Sequence, residues 1–258
     1  MEQLKVIKIG SHLINDAPAL EEFLTIFTAI EGKKVLVHGG GSAATEIAQK
    51  MHLEVKMIDG RRITDSETLD IATMVYAGKV NKTIIAQLQA KDCNAVGFSG
   101  ADGNTILAQK RLVKEVDYGW AGDILKVDTE ILEVLLSRKL TPVFCSITHD
   151  GKGQLLNTNA DTLAAELAIA FSKNYATDLY YCFEKKGVLI NLADDNSVIE
   201  NMNSIGYEDL KIQGIITGGM LPKMKNCFYA VQNGVQKVCV GQPEMLQNST
   251  RLCTTITN

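Results

Sequence analysis

Short apolar segments alternate with longer segments of helical periodicity along most of the chain. Residues 4–9 and 35–37 are brief apolar runs, which predict buried strands. Between them, apolar side chains recur every three or four positions, as in a helix that packs one face inward: Leu20, Phe23, Leu24, Phe27 and Ile30. Further apolar runs lie at 95–98, 141–147, 179–183 and 237–240. Strands that alternate with helices predict an α/β fold in which helices cover both faces of a mostly parallel sheet.

Two stretches depart from this alternation. Residues 106–112 and 124–127 have the pattern of antiparallel strands, and residues 149–153 have the composition of a hairpin turn. Residues 194–214 are more polar, with one short helix predicted near 207–212. A turn is predicted at residues 59–62, and the C-terminal segment 251–256 is predicted to complete the sheet. No linker or repeat interrupts the chain. We therefore place only a soft boundary at residue 175, between an N-terminal lobe (1–175) and a C-terminal lobe (176–258) that share one continuous sheet.

Composition and charge narrow the class of protein. The chain has 258 residues, a formal net charge of −4 and 46% hydrophobic residues, as is ordinary for a soluble globular protein. The acidic balance argues against a nucleic-acid or anionic-membrane surface. The six cysteines are scattered without a CxxC motif, which favours a reducing compartment over a disulfide or metal framework. With no signal peptide and no apolar run of membrane-spanning length, the cytoplasm is the expected location.

The most distinctive segment is a triple glycine between a predicted strand and a predicted helix. Gly39, Gly40 and Gly41 follow the strand, and the helix is predicted to open at Ser42. Without side chains in the way, backbone N–H groups and the positive end of the helix face one point, which suits a phosphate or a carboxylate. A tight turn without a ligand is the alternative, because glycine also serves turns.

Two phosphate-binding patterns can be compared with this run. The Walker pattern GxxxxGK[ST] is absent. The permissive dinucleotide pattern G-x-G-x-x-A fits from Gly39 to Ala44, and Asp59 stands twenty residues after Gly39, where that pattern expects an acidic residue. An NAD-dependent oxidoreductase is therefore one alternative, although glycine-rich turns between strands and helices are common.

Three other positions favour phosphoryl transfer. Lys8 ends the first predicted strand, and Lys223 stands at the start of the last long helix, where a cation opposes the helix dipole. Residues 157–161 (Asn-Thr-Asn-Ala-Asp) place two amides and the carboxylate of Asp161 after another strand, where ligand sites of α/β proteins lie. Two lysines, an aspartate and a glycine turn suit a reaction that consists mostly of positioning and charge neutralisation around a moving phosphoryl group.

Five short blocks that carry these residues occur in the order found in one known family. They are residues 6–10, 37–41, 60–64, 157–161 and 214–223. On these blocks the chain resembles the amino-acid kinase family, and within it the N-acetyl-L-glutamate kinases, over nearly its whole length. The resemblance implies a three-layer αβα sandwich whose N-terminal lobe binds an acyl-amino acid and whose C-terminal lobe binds ATP.

The resemblance also implies roles for individual residues. Lys8 and Lys223 would neutralise the transferring phosphoryl group, and Asp161 would hold both lysines in place. The substrate would be bound by Gly40, Gly41, Arg62 and Asn157, beside a phosphate loop of Gly10, Ser11 and Gly39. Mg2+ would be carried by the ATP rather than by a metal site of the protein. Nucleotide contacts would come from Glu184, Lys185, Gly187, Ile215, Ile216 and Thr217.

The reaction implied by the resemblance is transfer of the ATP γ-phosphoryl group to the γ-carboxylate of an N-acyl-L-glutamate, in arginine biosynthesis. That carboxylate has a reference pKa of about 4.3, so it is ionised at neutral pH and needs no general base. The expected partners are small molecules, with no nucleic acid or membrane. Only a few residues precede the first predicted strand. In this respect the chain resembles relatives that are homodimers insensitive to arginine. Sister kinases acting on carbamate, aspartate or glutamate, and a catalytically weakened regulatory binding protein, are the alternatives.

Three departures from the family pattern bear on these roles. Ser11 stands where a second glycine is usual, so a side chain borders the phosphate site. Residues 183–187 are Phe-Glu-Lys-Lys-Gly in place of a hydroxyl-Asp-Val segment, which changes the nucleotide contacts. Arg61 often corresponds to an apolar residue, which suggests the hypothesis that the N-acyl group carries its own carboxylate, as succinyl does. N-acetyl is the default, and an Arg61 that faces solvent is the alternative.

Overall fold

The computed structural model describes residues 1–58, 61–247 and 252–257. The strands are, in chain order, β1 Gln3–Ile9, β2 Lys33–His38, β3 Met57–Ile58, β4 Arg61–Arg62, β5 Ala95–Phe98, β6 Ile106–Lys110, β7 Ala121–Val127, β8 Thr141–Cys145, β9 Ile147–His149, β10 Leu155–Thr158, β11 Ala176–Cys182, β12 Asn201–Met202, β13 Lys237–Gly241 and β14 Thr254–Ile256. The α-helices are α1 Ser11–Asn15, α2 Ala17–Ala29, α3 Gly41–Lys50, α4 Ser66–Thr73, α5 Asn81–Gln89, α6 Glu130–Ser137, α7 Ala160–Ser172, α8 Ser204–Ile212 and α9 Met220–Gln232.

One large sheet organises the chain. Its strands lie in the order β12-β14-β13-β11-β1-β2-β8-β5, and all neighbours are parallel except β13 and β14. Hydrophobic clusters with helices lie on both of its faces, which confirms the predicted αβα class. Because β11 pairs with β1 along its full length, the sheet is continuous across residue 175. The division into two lobes at that residue stays a prediction.

A small barrel accompanies the sheet. It closes in the order β10-β7-β6-β9. As predicted, β6 and β7 are antiparallel, and β9 returns through a turn into β10. Strand β10 ends at Thr158, and Asn159 then caps α7 by accepting a hydrogen bond from the N–H of Thr162 at 3.0 Å. The barrel thereby leads directly into the helix that carries Asp161.

Alternate residues of β1 enter the two cores of the protein. Leu4 and Val6 belong to the cluster that includes residues of α7 and α9, whereas Ile7 and Ile9 belong to the cluster that includes residues of α2 and α5. Because side chains alternate along a strand, Lys8 points to the same side as Leu4 and Val6. The strand therefore directs its lysine towards α7 and α9.

The helix starts follow their capping residues. Asp16 accepts a hydrogen bond from the N–H of Ala19 at 3.1 Å, and Asp65 accepts one from the N–H of Thr68 at 2.8 Å. The helical pattern that begins after Asp65 continues through a π-helical segment, Met74–Val80, into α5. Within the described ranges, no helix is long and apolar enough to cross a membrane.

Some local predictions were wrong. Arg61 and Arg62 form strand β4 against β3, although we predicted a turn, because two-residue strands carry no periodicity. The short helix α1 follows Gly10 without a break, and its five residues are likewise too few to show a pattern. Asp59 and Gly60 of the predicted turn, and Arg251 of the predicted C-terminal segment, lie outside the described residues.

The strand before the triple glycine ends at a fully buried histidine. His38 Nδ1 donates to the carbonyl of Gly39 at 2.7 Å, and the side-chain amide of Asn81 donates to Nε2 at 3.0 Å. Both ring nitrogens are thus hydrogen-bonded, one as donor and one as acceptor, as suits a neutral imidazole. Burial lowers the pKa of His38 to about 4, despite the opposing hydrogen bond to Gly39. The role of His38 is therefore to hold the first glycine of the run in place.

This burial predicts a pH dependence of stability. Between pH 6.5 and pH 4 the unfolded chain binds a proton at His38 and the folded chain does not, so stability falls as the pH falls through this window. We expect this group alone to lower the free energy of unfolding by about 2 kcal/mol between pH 7 and pH 5. Urea denaturation at the two pH values measures this change. The free energy of unfolding of a His38→Gln variant should fall less between pH 7 and pH 5, since the other histidines are present in both proteins. An equal fall in the variant and the unmodified protein would contradict the assignment.

Candidate active site

A buried aspartate joins two lysines that are far apart in the sequence. Lys8 lies near the end of β1, Asp161 in the first turn of α7 and Lys223 in the first turn of α9. Lys8 Nζ lies 2.6 Å from Asp161 Oδ1 as an ion pair, and Lys223 Nζ donates to Oδ2 at 3.1 Å. The three side chains are 13%, 18% and 15% exposed for Lys8, Asp161 and Lys223, respectively. The structure thus brings together the three residues that we predicted to be catalytic.

The charges of this cluster determine what Asp161 can do. Burial by itself raises the pKa of Asp161, but the ammonium groups of Lys8 and Lys223 outweigh it and hold that pKa well below its usual value. The carboxylate is therefore ionised at neutral pH and is a poor proton acceptor. With two cations and one anion, the cluster keeps one positive charge for a ligand.

Aromatic rings and a backbone hydrogen bond fix the position of Lys223 and Asp161. The hydroxyl of Tyr181 donates to the backbone carbonyl of Asp161 at 2.8 Å. Lys223 Nζ lies 5.2 Å from the centre of the Tyr181 ring and 5.8 Å from that of Phe183, within cation–π range. Tyr181 lies in β11 and Phe183 directly follows it, so the ammonium group of Lys223 packs against rings positioned by the central sheet.

The triple glycine leads into α3, and Gly40 has no room for a side chain. Gly40 precedes the first residue of the helix, Gly41. A Cβ atom on Gly40 would lie 2.5 Å from the ring of Tyr76, so a larger residue would have to displace that buried ring. The first N–H groups of α3 have no partner within the helix and are directed out of its N-terminus. This geometry supports the anion seat predicted from the sequence.

Arg62 is attached to the same helix end. Its Nη2 donates to the carbonyl of Gly41 and to Thr45 Oγ1, both at 2.7 Å, and the residue is only 9% exposed. These acceptors are uncharged, so the guanidinium keeps its full charge for a ligand. Asn157, on β10, donates from its side-chain amide to Thr64 Oγ1 at 3.1 Å.

A cavity of about 210 Å³ connects the lysine, the glycines and Arg62. Seven of the predicted residues line it: Lys8, Ser11, Gly39, Gly40, Gly41, Arg62 and Asn157. Arg61, for which we considered an acyl carboxylate, lines it as well. Residues that we did not assign to the site complete much of the wall, among them Met57, Tyr76, Arg111, Gly122 and Ser146. The cavity therefore combines an anion-binding end with a wall that carries further arginines.

The predicted phosphate loop is only partly available to a ligand. The N–H of Gly10 already donates to the carbonyl of Cys182 at 3.1 Å, which extends the pairing of β1 with β11. Ser11 is exposed and reaches the cavity, and Gly39 lines it as well. The contribution of Gly10 is thus to end the strand and to begin α1, rather than to donate its N–H to a phosphate.

The six residues predicted to bind a nucleotide lie outside this cavity. The carbonyl of Glu184 accepts from Gln242, and Lys185 Nζ pairs with Asp195 at 2.8 Å. A Cβ atom on Gly187 would lie 2.6 Å from Val198, so that glycine is needed for packing. Ile216 is buried, and the N–H groups of Ile215 and Ile216 both donate to Leu210, whereas Thr217 is exposed.

His12 lies near Glu184 and near the two lysines of the cluster. Partial burial lowers its pKa, the nearby Glu184 opposes this, and Lys8 and Lys223 lower the pKa further. The imidazole is therefore within electrostatic reach of both lysines and of Glu184. The segment that replaces the family's usual nucleotide contacts lies close to the predicted phosphoryl-transfer site.

The sequence reasoning missed Thr45, Tyr76 and Tyr181, which contact predicted residues, and Arg111, which lines the same cavity. Thr45 lies one helical turn after Gly41, and that spacing could have identified it. Arg111 follows the alternating pattern of β6 but belongs to no motif, and the two tyrosines stand in apolar runs that resemble core. No signal in the sequence distinguishes them from structural residues.

The described residues contain no group of three or more His, Cys, Asp or Glu side chains that could hold a metal ion. Among the predicted site residues only Asp161 and Glu184 carry carboxylates, and both oxygens of Asp161 face lysines.

Comparison with known proteins agrees with the geometry. The model of the amino acid kinase family matches residues 3–242. Acetylglutamate kinase from Cytophaga hutchinsonii is 50% identical over 247 residues, which cover 95% of this chain and 94% of that protein. Acetylglutamate kinase from Bacteroides fragilis is 50% identical over 93% of this chain and 92% of its own length. The crystal structure of smu.665 from Streptococcus mutans has a TM-score of 0.79 at 26% identity, covering 98% of each chain.

The family model spans most of the chain, and the two relatives are half identical to it over nearly their whole length. The blocks that carried the resemblance in the sequence are the same ones that surround the cavity and the lysine pair. The chain belongs to the amino acid kinase family.

Proposed function

We propose that this protein is an ATP-dependent kinase that phosphorylates the γ-carboxylate of an N-acyl-L-glutamate, with N-acetyl as the default acyl group, in arginine biosynthesis. The observation that carries the proposal is the lysine pair bridged by Asp161, beside a cavity that the glycine run and Arg62 also line. The name acetylglutamate kinase borne by relatives of 50% identity supports the same activity.

In this proposal the substrate carboxylate attacks the γ-phosphorus of ATP directly. One carboxylate oxygen forms a bond to phosphorus, the bond from phosphorus to the β,γ-bridging oxygen breaks, and ADP leaves with that electron pair. No proton is transferred in the step, because a carboxylate with a pKa of about 4.3 is already ionised. The principal barrier is repulsion between two anions, and Lys8 and Lys223 offset it at the point of transfer. Asp161 is a positioning residue that holds both ammonium groups.

The substrate is bound at the other end of the cavity. Arg62 is suited to the α-carboxylate, because its guanidinium is buried beside uncharged acceptors and keeps further donors. Asn157 and the N–H groups of the glycine run supply hydrogen bonds to the remaining substrate oxygens. Ser11 and Gly39 line the phosphoryl side of the same cavity.

ATP binding belongs to the C-terminal lobe of residues 176–258 in this proposal, and the acyl-amino acid to the lobe of residues 1–175. The segment at Glu184, Lys185 and Gly187 and the segment from Ile215 to Thr217 would flank the nucleotide, largely through backbone groups and the exposed Thr217. Mg2+ held by the ATP phosphates supplies additional charge neutralisation. The resemblance further supports a cytoplasmic homodimer, and the size of the oligomer can be measured by light scattering.

Trapping the acyl phosphate with hydroxylamine tests the reaction itself. We expect a hydroxamate from N-acyl-L-glutamates and ATP, and none above background from aspartate or glutamate, whose free α-amino group does not match the proposed site. A carbamate reaction, followed as ADP release, is also expected to be absent. Product from one of these other acids alone would assign the protein to a sister kinase. ATP binding without product from any acid would favour a regulatory binding protein.

Replacing Lys223 tests the charge-neutralising role. A Lys223→Ala variant removes an ammonium group that acts on the transferring phosphoryl, so kcat should fall about 100- to 1000-fold while both KM values change little. The matched control is Lys225→Ala, since Lys225 is exposed on the same helix. An unchanged kcat in a folded Lys223→Ala variant would contradict the role.

Replacing Arg62 tests substrate binding. Arginine bonds Gly41 and Thr45 through Nη2 and keeps its other N–H groups for a carboxylate. Lysine keeps the charge but lacks this planar fork, so Arg62→Lys should raise the KM for the acyl-amino acid about 10-fold or more. The KM for ATP and kcat should remain within about 3-fold, in steady-state kinetics with each substrate varied. A change confined to the KM for ATP would place Arg62 in the nucleotide site instead.

A further inference from the structure

One corner of the cavity carries more positive charge than the proposed reaction uses. Arg61 and Arg111 both line the cavity, next to Arg62. Arg61 lies on the short strand β4, paired with Ile58 of β3, and Arg111 directly follows β6. Two elements that are remote in the sequence thus place guanidinium groups on one wall.

The two arginines differ in their partners. Arg111 Nε donates to Asp123 Oδ1 at 3.0 Å, and its guanidinium lies over the ring of Tyr118, 5.5 Å from the ring centre. Arg61 has no ion pair or side-chain hydrogen bond with any other described residue. It is half-buried, and burial first and the charge of Arg111 second lower its pKa, while Asp123 opposes them. Asp123 therefore balances one of the two guanidinium groups and leaves the other unbalanced.

A neutral acyl group would leave this charge without a counterion among the residues that the structure describes. In the proposed reaction the lysine pair faces the phosphoryl group and the γ-carboxylate, and Arg62 faces the α-carboxylate. N-acetyl-L-glutamate has no further anion to offer to Arg61. A half-buried guanidinium is most strongly stabilised by a carboxylate, which accepts two of its N–H groups at once.

We propose that the preferred substrate carries a second carboxylate on its acyl group, a short dicarboxylic acyl such as succinyl, and that Arg61 binds this carboxylate. This inference rests on the proposed kinase activity and narrows its substrate class. Arg111, held by Asp123, shapes the wall beside Arg61 and adds to the positive potential. Met57 and Ala121 line the same cavity and offer apolar surface to an acyl chain.

Kinetics with three substrates test the proposal on the full-length protein. N-succinyl-L-glutamate carries the extra carboxylate, N-butyryl-L-glutamate has nearly the same shape without the charge, and N-acetyl-L-glutamate is the default. We expect kcat/KM for the succinyl substrate to exceed that of both others by about 10-fold or more, mainly through KM. An Arg61→Ala variant should lose about 10- to 100-fold with the succinyl substrate and less than about 3-fold with the acetyl substrate.

The matched control is Lys56→Ala. Lys56 directly precedes β3, and its replacement also removes one positive charge. Its side chain is 62% exposed and pairs with Glu54, so substrate preference should not change. A preference for acetyl or butyryl over succinyl would overturn the inference and leave the kinase activity intact. An equal loss with all substrates in Arg61→Ala would overturn the role of Arg61.

Binding without turnover separates this inference from the proposed function. Isothermal titration with the three acyl-glutamates in the absence of ATP should show the same order of affinity and the same dependence on Arg61. If no substrate gives a hydroxamate but succinyl-glutamate still binds more tightly through Arg61, the proposed subsite is supported and the proposed kinase activity is contradicted. Equal affinities for all three compounds would overturn the subsite.

Discussion

The contact of Asp161 with two ammonium groups is the constraint on which the site depends. It joins the middle strand of the sheet, β1, to the first turns of α7 and α9. A buried ion pair gains little stability over an apolar contact, but the loss of one partner costs about 3–5 kcal/mol because a charge is left unpaired. The packing of these three elements is therefore tied to the electrostatics of the site. The same contact leaves one positive charge in surplus, which is what a phosphoryl group in transfer requires.

A second set of contacts fixes the glycine run opposite the lysines. His38 holds the carbonyl of Gly39, the ring of Tyr76 occupies the space beside Gly40, and Arg62 grips the carbonyl of Gly41. Each glycine is thus held by a different side chain, so the N–H groups at the start of α3 are ordered before a ligand arrives. Such preorganisation is what electrostatic stabilisation needs, since donors that must reorient contribute less.

The charges of the site suit the proposed reaction, in which no group has to take up or release a proton. The low pKa of Asp161 keeps it from taking a proton, and the described His38 is neutral and engaged on both sides. A carboxylate nucleophile makes such groups unnecessary. In the proposed reaction, Arg61 and Arg111 on the wall of the cavity act on the acyl group rather than on the bond that is made.

The sequence by itself determined the fold class, the order of the main strands and helices, and several of the residues around the cavity. Periodicity identified most of the longer elements, and motif order joined Lys8, Asp161 and Lys223. Tertiary structure alone decided which groups were free. The N–H of Gly10 donates to the neighbouring strand, and Arg111 pairs with Asp123 while Arg61 does not. These outcomes depend on pairing between residues distant in the chain, which local periodicity cannot encode.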